Sequence, residues 1–396
     1  MAKLLRNWPA LAGALVGWAA WGYGFTPLAA LFFLLWGAAP NREVAYLTAL
    51  TYYLAGSRVI PGAAAVFFGE NTSLLLGIGL WLVAAGLLAL PWGLLHCAQG
   101  GLRNAWRPLA ALCLVTVPPL GFVGWLNPLL GTSLLLPGLG FVSLVVGLVL
   151  AIWLSLLPAR RCSRWKSGLI AVLIGLIGLA GQPSPTSMPG WVGLTTHEGK
   201  TPEEMSDRMI RYSRTQELVE SAVREEGTKV VVLPEQFLGR FNLDTERALQ
   251  YLLGPMLAER SAHALIGAAL PTGEGKQTAN VLMHFDGAHW SPIKARFAVP
   301  VSMWKPWADD TTVINPTDLR LFEVAGQTAH VSLCFEDYMF WLHLGVFMTN
   351  KRPEVIIAVA NGWWAQDGKA QAIQDEHINA WARIFKLPLV RSLNAS

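Results

Sequence analysis

Residues 329–337 (AHVSLCFED) read as a buried strand that ends in Cys334, with Phe335, Glu336 and Asp337 directly after it. A thiol attacks a carbonyl carbon well only as a thiolate, so a working cysteine needs a base or a cation beside it. A second apolar run, residues 229–237, closes on Glu235. Burial at such a strand end raises a carboxyl pKa and fits it to take a proton from a thiol and hand it to a leaving group. Between the two lies Lys294, whose charge would favour a thiolate and the oxyanion of a tetrahedral intermediate; Arg296 and Lys305 are nearby alternatives. Glu336, two residues past the cysteine, falls on the same side of an extended chain or else caps a helix. Cys97, Cys113 and Cys162 belong to the first half of the chain, and Cys334 is the one cysteine of the second.

The elements that must hold these residues follow from a composition that splits in two. Residues 1–190 carry only two acids, Glu43 and Glu70, against ten Lys and Arg, whereas the rest carries 24 acids and 20 Lys and Arg. The basic balance therefore sits in short loops beside apolar runs and implies no direct nucleic-acid binding. Apolar spans are expected at 8–23, 25–39, 44–60, 72–95, 107–125, 137–157 and 167–181, about seven helices of a membrane domain over 1–181. Pro118-Pro119 is expected to kink the fifth. With the N-terminus inside, Lys3, Arg6, Arg42, Arg103, Arg107, Arg160, Arg161, Arg164 and Lys166 fall on the inner side and only Arg58 on the outer. That bias puts everything after residue 181 outside the cytoplasm, in an oxidising compartment where a lone thiol needs a reason to exist.

Residues 182–190 form a Pro/Ser-rich linker to a soluble domain over 191–396. There, strands are expected near 191–196, 229–234, 263–270, 279–285, 288–290, 328–334, 354–360 and 387–393. Helices are expected near 202–225, capped by Thr201, and at 244–260, 337–349 and 371–386. Strands on both sides of helices make this an α/β sandwich.

The order Glu, Lys, Cys at strand ends resembles the nitrilase (carbon–nitrogen hydrolase) superfamily. With a membrane half in front, the chain is similar to the apolipoprotein N-acyltransferase family and the related TraB family of conjugal transfer. Leu233-Pro234-Glu235 matches the motif that carries the base, Lys294 with Val299-Pro300 the lysine segment, and Cys334-Phe335-Glu336 the nucleophile motif. Ala360-Asn361-Gly362-Trp363-Trp364 and residues 387–394 (LPLVRSLN) resemble two later family segments, and Phe25-Thr26-Pro27 a turn in the first membrane hairpin. One departure stands out. The family's lysine segment runs on to Pro-Phe-Gly-Glu, but here Pro300 lies one residue farther from the lysine and is followed by Val301-Ser302-Met303-Trp304.

The resemblance implies a multi-span α-helical membrane domain followed by an αββα nitrilase-like domain. It further implies an inner-membrane amidase or acyltransferase in which Cys334 forms a thioester, Glu235 shuttles the proton and Lys294 stabilises the oxyanion. Glu336, Phe335 and Asn361 support the site, and no metal or organic cofactor is required. Membrane lipids and a lipoprotein or transfer-apparatus protein are the expected partners. Two other readings stand beside it: N-acylation of a lipoprotein from a phospholipid donor, and a non-catalytic scaffold of the transfer apparatus. A small transporter fits poorly, since the spans hold almost no ionisable residues. Met303, Trp304 and Trp307, with Trp363 and Trp364, are candidates for a lid that meets a lipid-like substrate or for packing residues, because indoles favour membrane interfaces.

Overall fold

The structure, a computed structural model, describes residues 7–68, 73–98, 101–158, 164–273, 276–365 and 368–396. Of the residues singled out above, Lys3, Arg6, Glu70, Arg160, Arg161 and Cys162 lie outside these. The chain forms two compact units: Met1–Ser184 with Tyr338–Trp341 and Trp364–Lys386, and Pro185–Asp337 with Leu342–Trp363 and Leu387–Ser396.

The first unit is helical: α1 (Trp8–Ala20), α2 (Leu31–Ala38), α3 (Arg42–Gly56), α4 (Ile60–Phe68), α5 (Ser73–Leu95), α6 (Trp106–Thr116), α7 (Pro128–Ser133), α8 (Phe141–Leu156) and α9 (Arg164–Leu179). Among the described residues only α5, over Leu74–Leu95, is long and apolar enough to cross a bilayer unaided, and four shorter apolar stretches accompany it. The expected fifth span is broken, not kinked. Its helix stops at Thr116, because the Pro118-Pro119 pair removes two successive backbone donors, and the chain continues in a 3-10 turn and α7. The span expected at 44–60 likewise ends at Gly56, and α4 follows it.

Aromatic side chains form the centre of this unit and satisfy one another's polar atoms. Trp21 Nε1 donates to the Tyr52 hydroxyl (2.9 Å), which lies 3.1 Å from Leu126 O; Trp92 Nε1 donates to Tyr53 (3.2 Å) and Trp36 Nε1 to Trp92 O (2.8 Å). Gly17 lets α1 and α3 touch, since a Cβ there would sit 2.2 Å from Tyr52 O. A late helix, α13 (Lys369–Phe385), also belongs here, although the division at 182–190 assigned it to the other half. Its Glu376 accepts the Gly22 and Gly24 N–H groups (2.8 and 2.5 Å), and its His377 accepts Leu126 N–H at 3.0 Å and stacks on Trp21.

The second unit is built on two five-stranded sheets. One has the order β1 (Trp191–Gly193), β3 (Val230–Val232), β4 (His263–Pro271), β5 (Thr278–Phe285), β6 (Trp290–Lys294). The other has the order β2 (Thr195–Thr196), β10 (Leu389–Asn394), β9 (Val355–Asn361), β8 (Gln327–Leu333), β7 (Phe322–Val324). The single strand expected at 191–196 is thus divided at Leu194 and serves both sheets, and the expected strand near 288–290 begins at Trp290.

Alternation of side chains across each strand makes two cores. Val230, Val232, Leu265, Leu282 and Ile293 face Val331, Leu333, Ile357 and Val359 between the sheets. Val231, Leu233, Ile266 and Val281 instead meet α10 (Met205–Arg224) and α11 (Leu243–Arg260). The N-cap of α10 is Glu204 without a side-chain bond, so Thr201 does not cap it; α11 is capped by Asn242, which accepts Thr245 N–H at 2.9 Å. On the far sheet, His343 of α12 (Phe340–Phe347) meets His330 of β8 at 2.8 Å. The layers are αββα.

Candidate active site

Parallel strands bring their carboxyl ends to one edge, and the site is made there. β8 delivers Cys334, β9 Asn361, β10 Asn394 and β3 the turn that carries Glu235. Cys334 takes φ +50°, a left-handed conformation that turns the chain from strand into the 3-10 segment Cys334–Tyr338; Gln236, after the glutamate, takes φ +54°. Such backbone is costly for a side chain with a Cβ and persists only where its surroundings over-determine it.

Those surroundings are two acids. Glu336 accepts the N–H groups of Leu333 (3.1 Å), Phe297 (3.0 Å) and Arg296, and its Oε2 lies 3.6 Å from the Arg296 guanidinium. Asp337 accepts from Ser332 Oγ (2.5 Å) and Arg391 Nη1 (3.0 Å). Of the two roles open to Glu336, it serves the turn, by holding N–H groups. Burial pushes its carboxyl pKa up, against the pull of Arg296 and the three amides.

The Cys334 thiol is hydrogen bonded to Glu235, whose Oε1 also accepts from Asn280 Nδ2 (2.7 Å) and Oε2 from Asn361 N–H (3.1 Å). Asn361 is itself braced, its Oδ1 accepting from Asn394 Nδ2 (2.9 Å), while Asn394 Oδ1 accepts from Thr196 (3.0 Å) and Glu198 N–H (2.8 Å). Gly267 makes room for the glutamate turn: a Cβ there would stand 2.1 Å from Pro234 O and 2.5 Å from Glu235 Cα. Burial raises the Glu235 pKa to about 7, only partly offset by its hydrogen bonds to Cys334, Asn280 and Asn361. Burial first, and the Glu235 charge second, push the Cys334 thiol well above its ordinary value. The resting pair is therefore a protonated thiol beside a carboxyl group poised near neutrality.

Lys294 does not join them. It stands opposite Val281, whose side chain lies in the core under α10 and α11, whereas Asn280 and Leu282 face the other way. The lysine therefore projects from the outer face and is exposed. Among the described residues it makes no hydrogen bond or ion pair. The inner position belongs to Ala295, which is buried and donates its N–H to Asn280 O at 2.8 Å. A one-residue difference in a strand reverses the face, and this corrects the role expected of Lys294. Nor do the alternatives supply the charge directly: Arg296 spends its guanidinium on the carbonyls of Val331, Asp318 and Arg320 as well as Glu336, and Lys305 pairs with Asp310 at 2.6 Å.

The aromatic candidates fall into two sets. Trp304 is half-buried against Phe297 (5.4 Å between rings), which in turn lies 6.3 Å from Phe335 beside Cys334. Met303 is half-buried and accepts Thr312 N–H at 2.8 Å, while Trp307 is 70% exposed. Trp363 is half-buried under Lys200, whose Nζ lies 5.0 Å from the ring centre, and Trp364 is half-buried. Asn280, Asp337 and Arg296 were not assigned these roles by the sequence. Asn280 gave no signal, sitting inside an apolar strand, whereas Arg391 and Asn394 stood in a segment already matched to the family.

The αββα layering and strand orders make a nitrilase-like fold, and a glutamate and a cysteine meet at the carboxyl ends of its strands. The chain belongs to the TraB family of conjugal transfer proteins. It is 30% identical to "Probable conjugal transfer protein TraB" of Sinorhizobium fredii, over 96% of this chain and 95% of that one. It is also 30% identical to the conjugal transfer protein TraB of Agrobacterium fabrum, over 96% of this chain and 90% of that one. No family model matches. Among solved structures it overlaps a carbon–nitrogen hydrolase of Helicobacter pylori G27 (12% identity, TM-score 0.38, 51% of this chain and 72% of that one). It also overlaps an amidase of Nesterenkonia sp. (11% identity, TM-score 0.36, 54% and 79%). The fold rests on strand order and layering, not on these partial overlaps.

Proposed function

We propose that this TraB-family chain is a membrane-embedded cysteine amidase or acyltransferase of plasmid conjugal transfer, working through a Glu235–Cys334 pair. The observation that carries the reading is the buried thiol–carboxyl hydrogen bond at the carboxyl ends of the two sheets. Glu235 takes the thiol proton as Sγ adds to the carbonyl carbon of an acyl donor. The tetrahedral adduct collapses, the bond to the leaving amine or alcohol breaks, and Glu235 returns the proton to it. The thioester on Cys334 is then attacked by water or an acceptor amine, whose proton passes to Glu235 and back to the departing sulfur.

Membrane embedding is supported by α5 and by apolar stripes left exposed on other helices, such as Val142, Val145, Val149 and Trp153 on one face of α8. The charge bias of the loops favours an inner membrane with the sandwich periplasmic, and lipids with a lipoprotein or transfer-apparatus protein as partners. A phospholipid acyl donor is the narrower form of the same chemistry. One observation favours the scaffold reading: Lys294 faces away from a thiol that burial keeps protonated.

Intact-mass analysis of protein purified from membranes separates them. The enzyme reading expects a hydroxylamine-sensitive acyl adduct on Cys334, absent from Cys334→Ala and slow to form in Glu235→Gln. Protein with no adduct under any donor, and with transfer function intact in Cys334→Ala, leaves the scaffold.

A further inference from the structure

Three arginines gather at one end of the first unit, none of them in an ion pair among the described residues. Arg42 Nε reaches His96 O at 3.4 Å, and Arg107 reaches Leu95 O at 3.3 Å through Nη1 and Asn104 Oδ1 at 3.3 Å through Nε. Both guanidiniums lie close to the His96 ring, which is 2% exposed and has no side-chain partner on either nitrogen. Arg103 is exposed in the 3-10 turn Leu102–Asn104. Among the described residues up to 184 the one carboxylate is Glu43, and none of the three arginines is in an ion pair. The bonds to Leu95 O and His96 O are long and use one donor from each of two forks that carry five apiece.

Beside this basic end lies an apolar groove of about 200 Å³, lined by Leu102, Val149, Ile152, Trp153, Leu156 and Leu157. Leu102, 78% exposed, adjoins Arg103 and joins the two features; Trp106, 52% exposed, stacks with Arg107 at 5.0 Å. A charged rim, interfacial tryptophans and an apolar slot together match one kind of molecule, an amphiphile with an anionic head.

We propose that Arg42, Arg103 and Arg107 hold the phosphate-bearing headgroup of an anionic phospholipid whose acyl chain lies in the Leu102–Leu157 groove. The site rests on the membrane reading above, and it needs neither Cys334 nor any acyl transfer. The lipid supplies an anionic partner to three arginines that form no ion pair among the described residues and would fasten the α5–α6 end to its leaflet. Each arginine near a charged surface contributes favourably, so the preference for an anionic over a zwitterionic lipid should be on the order of tenfold or more.

The test uses full-length protein in detergent micelles containing equal dioleoyl phosphatidylglycerol and dioleoyl phosphatidylcholine, with retained lipid read by native mass spectrometry. Wild type should retain phosphatidylglycerol. Arg42→Gln with Arg107→Gln should lose the preference, and Ile152→Trp, which fills the groove with every charge in place, should lose the lipid altogether. If the double variant fails to accumulate, Arg103→Gln, which removes no hydrogen bond or ion pair among the described residues, should still weaken retention. Equal retention of the two lipids, or a preference unchanged in Arg103→Gln and Ile152→Trp, overturns the site. Displacement of phosphatidylglycerol by millimolar inorganic phosphate, with Ile152→Trp still binding phosphate as wild type does, overturns the lipid assignment in favour of a bare phosphate site. Membrane flotation of wild type runs beside these, because failure to float removes the membrane reading itself. The Cys334 adduct should be the same in Ile152→Trp as in wild type, so loss of the enzyme reading and loss of this site are told apart.

Discussion

Glu235 sits where a proton can be exchanged at neutral pH, and that has a measurable sign. Its pKa is raised to about 7, so the carboxylate that can accept the thiol proton appears as pH rises through 7. Alkylation of Cys334 by iodoacetamide should therefore climb between pH 6 and 8 in wild type. In Glu235→Gln that limb should vanish and labelling should rise only well above the ordinary thiol range of about pH 8.5, because burial still holds the thiol up. Lys294→Ala should label within about twofold of wild type at each pH, since the pleat turns this side chain outward. A tenfold fall would return the ammonium to the thiol. Glu235 and Cys334 were legible in the sequence because an acid and a thiol at the ends of apolar runs are locally odd. The lysine was misread because its face depends on a register one residue wide, set by pairing with β5. Asn280 depends on the same pairing and carries no mark of its own.

At the scale of elements, strand and helix positions in the second unit were legible from periodicity, and their junctions less so. The split of the first strand between two sheets turns on the single residue Leu194, which no local pattern distinguishes. β7 is only three residues long and pairs with β8, too short to leave a period. The glutamate turn depends on β4 running beneath it without a side chain. Gly267→Ala should cost about 1–3 kcal/mol or more through overpacking and slow Cys334 labelling with it, measured by thermal melting and alkylation side by side. Normal labelling in that variant would mean that the turn is not what sets the pair. The segment 300–313 offers a second test. Trp304 packs on Phe297, so Trp304→Ser should lower the melting temperature, whereas exposed Trp307 makes no such contribution to stability. If the segment admits a lipid-like substrate, Trp307→Ser should accumulate normally and impair turnover; unimpaired turnover would leave the indole without that role.

At the scale of the molecule, the boundary between a helical, acid-poor half and an α/β half was legible in composition alone. The membership of α13 was not. Its contacts to the rest of the first unit include Glu376 and His377, two polar residues more than 350 and 250 positions from Gly22 and Leu126, and sequence gives no reason to bring them together. The placement of the charges gives a topology that reporters can check. Fusions at Lys200 should behave as periplasmic and fusions within residues 160–166 as cytoplasmic; the reverse would mean an even number of crossings before the sandwich.

The position of β10 has a consequence in time. It comes later in the chain than Glu235 and Cys334, yet it lies in the interior of its sheet, between β2 and β9, and its Asn394 braces Asn361, whose N–H holds Glu235. A chain made at about 5–20 residues per second exposes Cys334 and Glu235 well before that strand arrives. Until then β2 and β9 have no partner between them, and the amide that orients the carboxyl is unsupported. On the proposed function, the Glu235–Cys334 pair is set only once β10 has joined its sheet.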